Sequence, residues 1–235
     1  EYFPENEVLG ALLYPIGFIY IILGRYQLYT ENTLPPVALV LARLASLPLL
    51  FRVWGLVLLG NIIGAGLGAF VVAHAHVLSP AAEHAGAEFA SHGLSYGWWD
   101  VFWKAVFAGW IVGGIVWLDH ASRDTIARFF LIYLAFFTIS ATGLYHVVTT
   151  ACDAFYYVFY AGGGLFHVFY EFWLPVLCGN TIGGVFLVAL VNYAQIEDRR
   201  IPEVRELSVR EVFFSRRGGH TDEVQYTDEI ESETE

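Results

Sequence analysis

The sequence contains no methionine, one lysine and two cysteines in 235 residues. Only 15% of its residues are charged and 57% are hydrophobic, whereas soluble domains carry about 25% charged residues. An ordinary soluble domain is therefore excluded. The sequence also lacks a Ser-His-Asp, P-loop or GxGxxG context, so a hydrolase or an ATP-driven pump has no support.

Five long apolar stretches account for the hydrophobic content: Val8–Gly24, Val53–Ala73, Val101–Leu118, Phe129–Ser140 and Trp173–Tyr193. Each is near the ~20 residues that a helix needs to cross a bilayer, although some, such as Phe129–Ser140, are short. Backbone in lipid must satisfy its own hydrogen bonds, and the alternating pattern of barrel strands is absent. The sequence therefore predicts an all-α integral membrane protein built as a helical bundle.

Arginine placement predicts the orientation of these helices. Arginines follow the first, third and fifth stretches, whereas the segments 75–100 and 161–172 have no Lys or Arg. The positive-inside rule then places the C-terminus in the cytoplasm and the start of this sequence outside, in a multi-pass protein of the plasma membrane. With no initiator methionine, we expect one further helix before residue 1, giving six helices.

The C-terminal part differs sharply in composition. Its last fifteen residues, "TDEVQYTDEIESETE", are acidic, and the chain carries a net charge of −11. We expect residues 1–195 to form the membrane domain and residues 196–235 a largely disordered cytoplasmic acidic tail. The arginines between Arg199 and Arg217 indicate the membrane surface rather than a nucleic-acid site. Few lysines and many acids indicate a halophilic, archaeal source.

Two helices share the motif G-N-x-I-G, at Gly60 ("GNIIG") and at Gly179 ("GNTIG"). Each motif follows a polar segment that interrupts an apolar run, "LYTENTLPP" in the first half and "GLYHVVTTACD" in the second. The loop charges give the two motif helices opposite directions. The pattern predicts an inverted repeat with one interrupted helix in each half, an arrangement typical of transport pathways.

These segments resemble the formate/nitrite transporter family. "LYTENTL", "GLYHVV" and "LPVLCGNTIGG" occur in the order and spacing of that family's motifs, and "RYQLYTENT" is most similar to its YfdC-like branch. The resemblance covers about residues 8 to 195 and implies an aquaporin-like fold, a homopentamer with a separate pore in each protomer, and passage of small monovalent anions without a cofactor. Phe129, Phe130, Phe136 and Phe137 are interpreted as surplus aromatic surface between subunits.

His146 is the leading candidate for the site, because ionisable groups inside the membrane are functional candidates by default. A histidine has an ordinary pKa near ~6.5 and suits proton exchange with a weak-acid anion. The resemblance implies that Thr30 faces this ring and that Asn180 lies beside it. Thr30 could instead cap a loop, and Asn180 and Asn61 could instead hold the broken backbone.

The resemblance also implies pore constrictions at Tyr14, Phe18, Leu28 and Ile139. Charged residues replace uncharged ones of formate channels at Arg25 and Glu31. We expect these two to form an ion pair, with Arg25 as an anion attractor as the alternative.

Three further departures from the family pattern fall at Gly109, Tyr145 and Thr150, where the family carries asparagine, glutamate and asparagine.

Two other functions remain open. An aquaporin-type channel for neutral solutes shares the repeat, and a haem-carrying membrane subunit would use deep histidines. The histidines of the segment 74–92 match no standard metal spacing, so we interpret them as solvated, and no metal site is predicted. Ser79 and Pro80 predict the start of a surface helix there.

Overall fold

The computed structural model describes residues 7–191, residue 194 and residues 206–216, and every regular element in these ranges is helical. The helices in chain order are α1 (Val8–Leu23), α2 (Pro35–Leu41), α3 (Leu47–His74), α4 (Pro80–Leu94), α5 (Trp98–Ala121), α6 (Thr125–Ala141), α7 (Val147–Ala161), α8 (Leu165–Leu190) and α9 (Val209–Phe214).

Three of these helices, α3, α5 and α8, are long and apolar enough to cross a membrane individually. Helices α1 and α6 are shorter and apolar, and each is followed by a break and a second helix, α2 or α7. The predicted all-α membrane bundle with two interrupted helices is confirmed, although Tyr193 lies outside the described residues.

Both interrupted helices break through the same type of turn. Helix α1 ends with Arg25 at φ 57°, and the Tyr26 N–H donates to the Ile21 carbonyl at 3.0 Å. Helix α6 ends with Gly143 at φ 63°, and the Leu144 N–H donates to the Ile139 carbonyl at 2.9 Å. This Schellman pattern satisfies carbonyls at a helix end. The left-handed conformation of Arg25 is unfavourable by about 1 kcal/mol for any residue that has a Cβ.

Helices α5 and α8 pack closely because α8 carries glycines at the contact. A Cβ at Gly179 would meet the carbonyl of Phe102, and one at Gly183 would meet the carbonyl of Val106. Gly109 of α5 likewise lies against the backbone of Asn180. The asparagine that the resemblance implies at position 109 would have no space here.

The equivalent face of α3 is open. A Cβ at Gly60, Gly64 or Gly68 would meet no atom within 4 Å. Only 11% of the apolar window of α3 is buried, against 44% in α8 and 56% in α5. Glycines therefore allow close helix packing on α8, whereas the glycines of α3 meet no neighbour among the described residues.

The predicted surface helix is confirmed as α4. Ser79 caps it by accepting from the Ala82 N–H at 3.3 Å, and Pro80 occupies its first position. The helix rests on α7, where the Tyr156 hydroxyl donates to the Glu83 carbonyl at 3.2 Å.

One short part of the predicted tail is described by the structure. Residues 206–216 form a turn and helix α9, whose capping box joins Ser208 and Glu211. The Leu207 N–H donates to the Arg43 carbonyl at 2.8 Å, and the Leu207 side chain is buried. The acidic residues beyond position 216 lie outside the described residues.

Candidate functional site

His146 lies at the break between α6 and α7 and is completely buried. Its Nε2 is 2.8 Å from the Thr30 hydroxyl of the other broken helix. Its Nδ1 accepts the Val148 N–H at 3.4 Å, which assigns the hydrogen of the neutral ring to Nε2 and makes Thr30 the acceptor. The expected contact between Thr30 and His146 is present, and Thr30 caps no helix with its side chain.

Asn180 holds the second break with three buried hydrogen bonds. Its Oδ1 accepts the Val147 N–H at 2.8 Å, and its Nδ2 donates to the carbonyls of Ala105 at 2.8 Å and Tyr145 at 2.9 Å. Both amide hydrogens are thereby used on backbone oxygens. The interpretation that Asn180 ties down broken backbone therefore fits better than direct binding of an anion.

Asn61 does the same at the first break. Its Oδ1 accepts the Tyr29 N–H at 2.9 Å, and its Nδ2 donates to the Gln27 carbonyl at 3.0 Å. Each motif asparagine thus bonds an N–H and the carbonyl two residues earlier. The shared G-N motif therefore fixes the backbone of both breaks.

The four predicted constriction residues come together in one apolar cluster around His146. Phe18, Leu28 and Ile139 are buried in it, and Tyr14 packs against it half-buried. The Phe18 ring meets the His146 ring edge-on, with centroids 4.9 Å apart.

Phe136 also belongs to this cluster, contrary to its assignment as surplus surface between subunits. It is fully buried and stacks on Phe18, with centroids 3.6 Å apart. Ile132, Phe136 and Ile139 share one face of α6 at helical spacing, and the structure shows that this face is the buried one.

Tyr14 links the cluster to the first turn of α7. The Thr149 hydroxyl donates to the His146 carbonyl at 2.9 Å, and the Tyr14 hydroxyl lies 3.1 Å from Thr149 Oγ1. Because the Thr149 hydrogen is already used, Tyr14 is the donor. Two hydrogen bonds therefore connect Tyr14 through Thr149 to the His146 carbonyl, a contact that the sequence did not predict.

Arg25 and Glu31 do not form the expected ion pair within the described chain. Both line a cavity of about 500 Å³ between the first break and the ends of α5 and α6. The ion pair found there joins Arg128 and Asp119, through bonds of 2.6 and 2.8 Å. Arg25 follows α1 in a left-handed backbone conformation, and Glu31 begins the short 3-10 helix Glu31–Thr33.

Lys104 is a further residue at the second break that the sequence reading did not single out. Its Nζ donates to the Gly143 carbonyl at 3.1 Å and lies over the rings of Tyr96 and Tyr145 at 4.8 and 5.9 Å. The signal was available, because Lys104 is the chain's one lysine and falls inside an apolar stretch. Tyr145 replaces a family glutamate and presents an aromatic face to this cation.

Two facing helix breaks, closed by an apolar cluster around one buried histidine, define a multi-pass membrane protein of the channel class. The family model for "Formate/nitrite transporter" matches residues 2–194. The chain therefore belongs to the formate/nitrite transporter family.

Individual relatives agree with this assignment. Inner membrane protein YfdC of Escherichia coli is 32% identical over 216 residues, which cover 88% of this chain and 68% of that protein. A probable formate transporter of Methanothermobacter thermautotrophicus is 29% identical over 202 residues, covering 79% and 73%.

Solved structures share the fold. A pentameric formate channel with formate bound superposes with a TM-score of 0.68 at 16% identity, covering 80% of this chain and 82% of that chain. An FNT family ion channel gives a TM-score of 0.70 at 20% identity, covering 81% and 78%.

Proposed function

We propose that the chain forms a membrane pore for small monovalent anions of weak acids, such as formate or nitrite, in which His146 exchanges a proton with the permeating species. The observation that carries the proposal is the buried His146–Thr30 hydrogen bond at two facing helix breaks, enclosed by apolar side chains. The relatives named for formate transport support the class of solute.

The physical argument concerns the cost of charge in an apolar constriction. A bare anion beside Phe18 and Phe136 loses its hydration, whereas the neutral weak acid passes at far lower cost. Helix α7 begins directly after His146, its N-cap residue. The positive end of the α7 helix dipole therefore lies at the His146 ring. An anion is therefore attracted up to the ring and crosses the cluster as the protonated acid.

The hydrogen-bond pattern gives the proton step a structural consequence. When His146 donates Nε2–H to Thr30, the Thr30 hydroxyl keeps its own hydrogen to offer to the solute. When Nδ1 of His146 is also protonated, it can no longer accept the Val148 N–H. Protonation of the ring therefore breaks this hydrogen bond in the first turn of α7. Transfer of that proton to the anion restores the bond.

Charged side chains on either side of the constriction fit an attracting role. Lys104 lies at the second break, and Arg25 lines the cavity at the first without an ion pair among the described residues. We place Arg25 on the pathway as an anion attractor.

The test is flux in proteoliposomes with a panel of formate, nitrite, hydrosulfide, acetate and chloride, against glycerol and urea. Selective passage of weak-acid anions supports the proposal, whereas passage of glycerol with no anion flux supports the neutral-solute channel. A haem-carrying subunit needs two facing deep histidines, and the other histidines that the structure describes are exposed.

We further propose that the membrane domain spans residues 1–195 and that a sixth apolar helix covers the open glycine face of α3, as α5 covers α8. We also place the protein in the plasma membrane, with its C-terminus in the cytoplasm.

A homopentamer with one pore in each protomer is supported by the pentameric assembly of the structural neighbour. Native mass spectrometry in several mild detergents tests the stoichiometry, and exclusively monomers and dimers would contradict it.

A further inference from the structure

An exposed surface at the base of α3 combines aromatic rings and arginines. Phe51 and Arg52 lie in the first turns of α3, while Arg210, Phe213 and Phe214 lie on α9, which contacts α3. The three rings are 61%, 54% and 78% exposed. We call these five residues the inner aromatic–arginine surface.

Helix α9 is held there by specific contacts rather than by length, since it has only six residues. Leu207 anchors it, being 3% exposed and donating its N–H to the Arg43 carbonyl at 2.8 Å. The capping box of Ser208 and Glu211 then satisfies its first backbone donors. These contacts hold α9 in a position where the Phe213 and Phe214 rings are exposed.

The position of this surface along the membrane normal follows from α3. Arg43 precedes the first residue of α3, and α3 is long enough to cross the bilayer. Leu207 is bound at Arg43, so α9 lies where α3 leaves the hydrocarbon core. An arginine there buries its apolar stem and keeps its charged head in water, and a phenylalanine ring inserts on the apolar side of the boundary.

The local charge is opposite to that of the whole chain. The net charge is −11, yet the segment 206–216 with Arg43 and Arg52 carries four arginines against two glutamates. One of these glutamates, Glu211, is engaged in the capping box. A basic surface at the membrane–water boundary attracts anionic lipid headgroups.

We infer that the inner aromatic–arginine surface binds anionic phospholipid headgroups of the adjacent leaflet. Phe213 and Phe214 enter the boundary between headgroups and acyl chains, and Arg52 and Arg210 contact phosphates. This peripheral mode uses an apolar face and cationic side chains together. It does not depend on which solute the pore carries.

The experiment is hydrogen exchange of the backbone amides of residues 206–216 in the whole protein. The protein is placed in nanodiscs of phosphatidylcholine alone and of phosphatidylcholine mixed with phosphatidylglycerol. We expect exchange about tenfold slower in the anionic nanodiscs, because lipid binding suppresses local opening. Arg52→Gln with Arg210→Gln should remove the difference, and Phe213→Ser with Phe214→Ser should speed exchange in both lipids.

A matched control is Glu206→Gln, an exposed change in the same segment that leaves the surface intact and should keep the lipid difference. Equal exchange in the two nanodiscs overturns the inference, as does a lipid difference that survives the double arginine change. Slow exchange that persists in lipid-free detergent assigns the surface to a second copy of the chain and also overturns it. Inorganic phosphate that reproduces the slowing without lipid shows a free-anion site instead.

Discussion

Leu28 and His146 occupy equivalent positions on the two interrupted helices. Each lies three residues after the left-handed residue that ends the preceding helix, Arg25 or Gly143. Each also directly precedes the N–H held by a motif asparagine, since Asn61 accepts from Tyr29 and Asn180 from Val147. The repeat therefore places an aliphatic side chain in one half where the other half has an ionisable ring.

This equivalence gives a substitution that the backbone should tolerate. His146→Leu makes the two halves alike, so we expect folding to persist while anion flux falls and loses its dependence on pH between about 5 and 8, where histidine changes charge. Flux in proteoliposomes over that range is the measurement. Thr30→Val is the control, because it removes the partner and keeps the titratable ring. Unchanged pH dependence in His146→Leu would exclude the proton-exchange role.

The two motif asparagines should differ in their effect on stability. Asn180→Ala removes three buried hydrogen bonds and leaves the Val147 N–H without its acceptor, at about 1–3 kcal/mol for an unsatisfied buried group. Asn61→Ala removes two bonds in a more accessible environment and should cost less. Thermal unfolding in one detergent compares them. Equal losses would mean that the second break does not depend more strongly on its asparagine.

Two double-mutant cycles compare the ion pair that the structure contains with the one that the sequence predicted. Asp119→Ala with Arg128→Ala should show coupling of about 0.5–3 kcal/mol, because their bidentate contact is part-buried. Arg25→Ala with Glu31→Ala should be additive within about 0.5 kcal/mol, since no ion pair joins them in the described chain. Strong coupling in the second cycle would restore the pair expected from sequence.

The stacked rings should set the width of the constriction. Phe18→Ala removes the ring that lies on Phe136 and beside His146. We expect acetate flux to rise relative to formate flux, together with a stability loss of about 3–5 kcal/mol if the cavity does not collapse. Phe130→Ala is a matched change at an exposed ring of α6 and should leave the flux ratio unchanged. An unaltered ratio in Phe18→Ala would place the constriction elsewhere.

Glycine substitutions test the packing of the two halves. Gly183→Leu should prevent folding, because α5 backbone lies against that position. Gly64→Leu should be less damaging, since a Cβ at Gly64 meets no atom of the described residues within 4 Å. Yields of monodisperse protein after detergent extraction compare the two variants. Equal losses in the two variants would support the proposed sixth helix over α3.

Sequence by itself determined the membrane class, the five apolar helices and the two breaks, because hydropathy and helix-breaking residues act locally. It also placed His146 and the G-N motifs, since an ionisable ring or a repeated asparagine in an apolar run stands out. The surface helix at Ser79 followed from its capping residues for the same local reason.

Only the tertiary structure decided what these residues do to one another. Whether Asn180 serves the backbone or the solute depends on which carbonyls lie within 3 Å, and those come from α5 and from the break. Arg25 and Glu31 are close in sequence and line one cavity, yet no ion pair joins them among the described residues, so proximity along the chain predicted a pair that the fold does not make. Phe136 was hidden among similar apolar residues because composition cannot tell which face of a membrane helix meets protein and which meets lipid.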